Sequence, residues 1–343
     1  MEEHTDVNKL GEFGLIDHLT KECKPQLKST MVGIGDDAAV IANASDYTVV
    51  STDMLIEGIH FDVRYTPLKH LGYKAVVVNL SDIFAMNVRP THITVSIAIS
   101  SKYTVEALTE LYEGIQAACK FYNVDLIGGD TTSHLKGMAI SVTAMGSITD
   151  KKKITYRSGA NVGDILCVSG DLGAAYLGLQ LLEREKQLFL DDQSITPQIE
   201  GHQYLLERQL KPEAGLEAYE YLAKVDLIPT SMIDVSDGLS SDLMHICKAS
   251  DVGAFIEEGK VPMSEEAKEM ALEFNMDPIS TALNGGEDYE LLFTISPDDI
   301  EKIQFMPGAT IIGEIVDKKD KLTLHTTGGK IYPLKAQGWN HFE

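Results

Sequence analysis

Apolar residues recur along this chain in two rhythms. Short runs rich in Val, Ile and Thr, AAVIA at 38–42 and YTVVST at 47–52, have the length and composition of strands. HITVSIAIS at 92–100, VDLIGG at 124–129 and MAISVTAMGSI at 138–148 follow the same pattern. Between them, residues 67–87 and 104–122 space their apolar positions as helices do, and Leu10, Phe13, Ile16 and Leu19 suggest a short opening helix. Around residues 149–164 the alternation gives way to TDKKKITYRSGANVGD, a polar segment with two glycines, where we place a boundary between domains 1–149 and 150–343.

The alternation then resumes. Strand-like ILCVSG, SMIDVSD, AFIEE, ELLFTIS and ATIIGEIV are separated by helical segments near 172–185, 214–223, 239–250 and 264–274, with a polar stretch reaching Pro212 and a short helix after Pro297. Strands and helices in this order predict two mixed α/β or α+β domains. A chain of 343 residues is long enough for two cores.

Charge narrows the function classes. The chain has 29 Lys and Arg against 52 Asp and Glu, a net charge of −23 that disfavours nucleic acid and anionic membrane as partners. Such a protein handles phosphates if divalent cations stand between carboxylate and phosphate. Cys23, Cys119, Cys167 and Cys247 are far apart and form no C-x-x-C pair, which predicts neither a zinc cage nor a disulfide framework and suits a reducing cytoplasm. No apolar run reaches the roughly 18 residues of a membrane-spanning helix, and MEEHTDVNKLGEF lacks the features of a signal peptide.

No Walker A loop is present; Gly253 to Val261 comes nearest but has one residue too many and two glutamates. Gly33-Ile34-Gly35-Asp36-Asp37-Ala38 matches the dinucleotide fingerprint in letters, yet two carboxylates occupy the approach and a strand follows, so it suits a cation better than a bare phosphate. Four further aspartate motifs stand where apolar runs meet turns or helices: Ser51-Thr52-Asp53, Asn79-Leu80-Ser81-Asp82, Gly128-Gly129-Asp130-Thr131-Thr132 and Asp234-Val235-Ser236-Asp237-Gly238. Taken singly, Asp53 suits a strand end, Asp82 a solvated helix face, Asp130 a Gly-Gly turn and Asp237 a helix cap. Two features favour metal binding. Asp82 interrupts the apolar run AVVVNLSDIFAM, where an unpaired carboxylate is expensive, and Asp234 and Asp237 straddle a strand end. Mg²⁺ prefers such all-oxygen ligands and shares them with substrate phosphates. A last motif, Asn284-Gly285-Gly286-Glu287-Asp288-Tyr289-Glu290, sets an acid beside glycines that allow close backbone approach.

In this order GIGDDAAV, STDMLIEGIHF, YKAVVVNLSDIFAM, LIGGDTT, RSGANVGD, IDVSDGLSSDL and GGEDYELLFT resemble the thiamine-monophosphate kinase family of the aminoimidazole-ribonucleotide-synthetase-like superfamily. The resemblance runs from Gly11-Glu12-Phe13 to Gly338-Trp339-Asn340-His341-Phe342. It implies Mg²⁺ ligands at Asp37, Ser51, Thr52, Asp53, Asp82, Asp130, Asp234 and Asp237, with Asp36 close by. It further implies nucleotide contacts at Gly129, Asp130, Arg157 and Ser236, and substrate contacts at His60, Glu287 and Trp339. Asp130, Arg157 and Asp234 would then serve the transfer itself. Arg157 offers phosphate a planar cationic fork, and Glu287 and Trp339 suit a cationic thiazolium by charge and π-face.

The resemblance also implies a two-domain fold, a homodimer paired through its N-terminal sheet, and phosphorylation of thiamine monophosphate by ATP with Mg²⁺. Leu210-Lys211-Pro212-Glu213-Ala214 departs from the family's LRPxPR pattern in lacking its second proline and the arginine after it. Competing expectations are another ATP-dependent synthetase of the superfamily and a non-catalytic nucleotide sensor. A selenophosphate-forming enzyme would carry a reactive Cys in a glycine-rich loop, whereas Cys23 sits in Lys-Glu-Cys-Lys-Pro.

Overall fold

The computed structural model describes residues 27–335. Two sheets form among them, and the chain passes from one to the other between Ile148 and Ile165. The first contains β1 (Thr30–Val32), β2 (Ala39–Ala42), β3 (Tyr47–Ile56), β4 (Pro90–Ile99), β5 (Asp125–Ser133) and β6 (Met138–Ile148), in the order β1-β2-β3-β6-β4-β5. All its neighbours are antiparallel except β4 and β5. Helices α1 (Leu68–Ala85) and α2 (Val105–Tyr122) belong to this half and pack on each other.

The second sheet contains β7 (Ile165–Val168), β8 (Ser231–Asp234), β9 (Gly253–Glu257), β10 (Leu291–Ile295), β11 (Thr310–Val316), β12 (Leu322–His325) and β13 (Ile331–Pro333). Its order is β13-β12-β9-β11-β7-β10-β8, parallel only between β9 and β12. The helices of this half are α3 (Ala174–Asp191), α4 (Gln203–Leu210), α5 (Leu216–Lys224), α6 (Leu239–Ser250), α7 (Glu265–Glu273), α8 (Pro278–Asn284) and α9 (Ile300–Ile303). The alternation of strands and helices thus folds into largely antiparallel sheets, a mixed α+β arrangement.

Local chemistry explains the better-defined ends. Thr104 caps α2, its Oγ1 accepting from Ala107 N at 3.2 Å, and Asn123 closes that helix in a left-handed conformation. Helix α1 has no such polar face, since Leu71 to Ser81 is buried all round and the helix lies between the two sheets. Val76, Val77, Leu80 and Phe84 of α1 join Val95, Ile140 and Val142 of the first sheet in one apolar core. That core continues into Leu222, Met232, Phe293 and Ile295 of the second half. The last turns of α1 therefore carry polar side chains into the contact between the sheets.

The sequence pattern and the fold differ at some elements and agree at the near miss for a phosphate loop. The polar stretch before Pro212 holds the last turns of α3 and all of α4, because Leu205 and Gln209, one turn apart, are buried there. Helix α8 and strands β1, β12 and β13, too short to show a period, have no counterpart in the sequence pattern. Gly253 to Val261, the near miss for a phosphate loop, is β9 and the turn after it. The opening helix at 10–19 and Cys23 lie outside the described residues.

Candidate active site

Elements on both sides of the boundary between the sheets deliver oxygen-bearing side chains. Asp36 and Asp37 lie in the turn before β2; Ser51 and Asp53 lie on β3; Asn79, Ser81 and Asp82 end α1; Asp234 ends β8. One oxygen each from Asp37, Asp82 and Asp234 falls within 4.8 Å of the others. Asp37 and Asp234 are buried and Asp82 is half-buried. The cluster therefore draws on both sheets.

Neighbouring polar groups hold these carboxylates in place. Ser51 Oγ donates to Asp82 Oδ2 at 2.5 Å and Ser81 Oγ to Asp234 Oδ2 at 2.7 Å. Asn79 Oδ1 accepts from Asp53 N at 2.9 Å, tying β3 to α1. Arg157 is the cation of the cluster: its Nε and Nη2 donate to Asp37 Oδ2 and Oδ1 at 3.0 and 2.8 Å. This is the two-pronged geometry by which guanidinium recognises carboxylate or phosphate. Asp36 Oδ1 accepts from the backbone N–H of Asp37 and of Arg157, closing the turn.

Burial and mutual repulsion raise the affinity of these acids for protons. Asp36 is pushed up to about 6 by burial and by Asp37. Asp234 is pushed up to about 7 by burial and by Asp37, with Ser81 and Arg157 opposing. Burial and then Asp53, Asp234 and Asp37 hold Asp82 well above the usual carboxylate range. Asp37 is likewise raised by burial despite Arg157. Three hard oxygen donors that repel one another around a single guanidinium fit a divalent cation such as Mg²⁺.

The Glu287 loop runs beside this cluster. Glu287 N donates to Ser236 O and Tyr289 N to Val235 O, both at 2.8 Å, so the loop is laid along the end of β8. A Cβ on Gly286 would stand 2.3 Å from Ser236 O, which explains the glycine by close approach. Glu287 and Tyr289 both have positive φ, 66° and 53°, and the alternation turns Asp288 inward. Asp288 Oδ2 accepts from Gly173 N at 2.8 Å, and Arg208 of α4 donates to Asp288 O and Glu290 Oε1. Burial pushes Asp288 up to about 7 in spite of Arg208. Glu287 itself meets Lys74 Nζ at 3.0 Å and accepts from Gln209 Nε2 at 2.8 Å.

Not every residue named from the sequence reaches the cluster. Asp53 lies within β3 rather than at its end, close enough for its charge to bear on Asp82 and Asp234, whereas Asp130 lies within β5 and not in a turn. Thr52 alternates to the other face of β3, where its Oγ1 donates to Val142 O. Gly129 and Asp130 lie on exposed β5, three strands from β3, or about 14 Å at ordinary strand spacing. A Cβ on Gly129 would stand 1.8 Å from Val95 O, so that glycine has a packing reason of its own. Asp237 lies beyond β8 outside the close trio, and Gly238, not Asp237, occupies the cap of α6. His60 turns beyond β3 with Nδ1 accepting from Ile56 N at 3.0 Å. Trp339 lies outside the described residues.

The structure adds Asp242, Lys74 and Gln209. Asp242 is buried, accepts from Gly238 N at 3.1 Å, and is raised well above its ordinary range by burial, then by Asp237 and Asp234. A lysine ahead of the apolar run AVVV was the available signal for Lys74.

Residues 35–148 match the N-terminal domain of AIR synthase related proteins. Over 336 residues the chain is 32% identical to the thiamine-monophosphate kinase of Aquifex aeolicus (strain VF5), covering 98% of this chain and 99% of that one. It is 34% identical over 341 residues to the thiamine-monophosphate kinase of Bacillus subtilis (strain 168), covering 97% and 100%. The chain belongs to the thiamine-monophosphate kinase family. A solved structure of a member, AaThiL complexed with AMPPCP and TMP, superposes with a TM-score of 0.83 at 31% identity, covering 98% and 99% of the two chains. The GGEDYE and IDVSDG segments are adjacent here, joined by backbone hydrogen bonds. No helix among the described residues is long and apolar enough to cross a membrane.

Proposed function

We propose that this chain phosphorylates thiamine monophosphate with ATP, giving thiamine diphosphate and ADP. Convergence of Asp37, Asp82 and Asp234 around Arg157, on a full-length member of this family, carries the proposal. Mg²⁺ held by the three aspartates would neutralise the charge of the two phosphates. Ser51 and Ser81 keep Asp82 and Asp234 oriented. Arg157, already presented as a fork, turns from Asp37 to a phosphate oxygen of the nucleotide. The attacking oxygen of thiamine monophosphate is ionised at neutral pH, so no strong base is required. It forms the new P–O bond in line as the bond from the γ-phosphorus to ADP breaks, and catalysis is chiefly positioning and charge neutralisation.

Ser236 and Glu287 lie side by side, which suits a nucleotide contact next to a substrate contact. His60 and Trp339 complete the substrate site in this proposal, and residues 1–149 and 150–343 are its two domains. A homodimer is supported by β5, whose edge is exposed along its length and displays Leu126 and Ile127. Edge pairing there would set Gly129 and Asp130 at the seam between copies. Cys119, Cys167 and Cys247 are free thiols, in keeping with the cytoplasm.

Incubation with ATP, Mg²⁺ and thiamine monophosphate should yield thiamine diphosphate. ATP binding without turnover on any substrate would instead favour a nucleotide sensor, and turnover of an aminoimidazole precursor would favour a synthetase.

A further inference from the structure

Lys74 is a charged side chain in the middle of the molecule. It is 3% exposed, on the second turn of α1, within the stretch Leu71 to Ser81 that is buried all round. Burying an ammonium is costly unless it is paired and hydrogen-bonded. Here Nζ donates to Gln209 O at 2.9 Å and meets Glu287 Oε1 at 3.0 Å. Gln209 Nε2 holds the second carboxylate oxygen of Glu287 at 2.8 Å. Both oxygens of Glu287 are thus held, one from α1 of the first half and one from α4 of the second. The Glu287 side chain is nevertheless 27% exposed, against 4% for that of Lys74. The carboxylate is gripped from behind and open in front.

Ser81 lies seven residues after Lys74, two turns further along the same face of α1. The two side chains make the same kind of contact, each crossing to the second half: Ser81 to Asp234 of the metal cluster, Lys74 to Glu287. A rigid helix rises about 10 Å over seven residues. Helix α1 therefore fixes the spacing between the aspartates and Glu287.

We propose that Lys74 is a positioning residue for the substrate end of the site. It acts through Glu287, holding that carboxylate at a set distance from the metal cluster and offsetting its charge, with Gln209 as the second point of the clamp. Because the carboxylate is already paired with an ammonium, Glu287 recognises thiamine monophosphate by the direction of its oxygens and not by net negative charge alone. This rests on the kinase function proposed above.

The test is a comparison of Lys74→Met, Gln209→Leu, Glu287→Gln and the double variant Lys74→Met/Glu287→Gln with the wild-type chain. KM for thiamine monophosphate and for ATP are measured in turnover, and thiamine monophosphate binding is measured by calorimetry without ATP. Lys74→Met should raise the KM for thiamine monophosphate about 10- to 100-fold, the scale of a lost charged hydrogen bond. Its KM for ATP should stay within about twofold. Gln209→Leu should act in the same direction, and the double variant should be no worse than Glu287→Gln, since Lys74 then has no carboxylate to hold. Equal changes in both KM values, or multiplying effects in the double variant, would overturn the proposal. If Lys74→Met does not fold, an unchanged KM for thiamine monophosphate in Gln209→Leu overturns it. A wild-type chain that forms no thiamine diphosphate would refute the kinase function and the clamp together, whereas an active wild type with an indifferent Lys74→Met refutes the clamp alone.

Discussion

Replacing Asp234 by Asn separates stability from function. In the folded chain the Asp234 carboxyl is raised from 3.8 to about 7, chiefly by burial and then by Asp37. A shift of that size costs the folded state about 4 kcal/mol once the group is ionised. The sign follows from its direction. A carboxyl with a raised folded pKa is neutral in both states below 3.8, and it weakens the fold as pH rises from there through about 7. Asparagine keeps the shape and an acceptor for Ser81 Oγ but carries no charge. In chelator at pH 8 the variant should therefore melt higher than the wild type, by about 8 °C at about 2 °C per kcal/mol. The gap should narrow as pH falls from 7 toward 4. Saturating Mg²⁺ should stabilise the wild type, by about 2.7 kcal/mol at a hundredfold excess over Kd, and the variant much less. Turnover should fall about a hundredfold or more. Differential scanning fluorimetry in chelator and in Mg²⁺, with a thiamine diphosphate assay alongside, reads all of these. A variant less stable than the wild type in chelator at pH 8, or equal stabilisation of both by Mg²⁺, would refute the account.

Arg157→Ala leaves buried Asp37 without its guanidinium, so in chelator it should cost about 3 kcal/mol, read by urea denaturation, and Mg²⁺ should restore part of it. Its KM for ATP should rise as well. Ile127→Lys places a charge on the exposed β5 edge and should shift a dimer toward monomer in size-exclusion chromatography, while circular dichroism stays unchanged; an unmoved elution volume would remove β5 as the dimer contact.

The longer strands and helices were legible because their apolar periods are strong: α6 begins and ends at the residues the pattern indicated, and β3, β4 and β6 lie where the β-branched runs do, whereas the short β1, β12 and β13 were not. Helix α4 was not, since its buried face is one Leu and one Gln inside a polar stretch. Of the cluster's aspartates, Asp82 stood out as an acid in an apolar run, Asp37 as one of two acids in a glycine turn, and Asp234 as an acid at a strand end. Their partner Arg157 has no local signal, being 120 residues from Asp37. Gln209 was invisible for the same reason, and Lys74 showed only as a lysine ahead of an apolar run, since the value of each depends on Glu287 more than 70 residues away.

The sequence by itself determined most of the longer strands and helices, that the chain is acidic, and that Asp82 stands where an uncompensated charge is expensive. Those properties are local, fixed by side-chain period and by neighbours along the chain. Only the tertiary structure decided that Asp37, Asp82 and Asp234 meet while Thr52 turns away and Asp130 stands on an outer strand. Convergence is set by register, strand order and the packing of α1 between two sheets, and these depend on contacts between residues far apart in the chain.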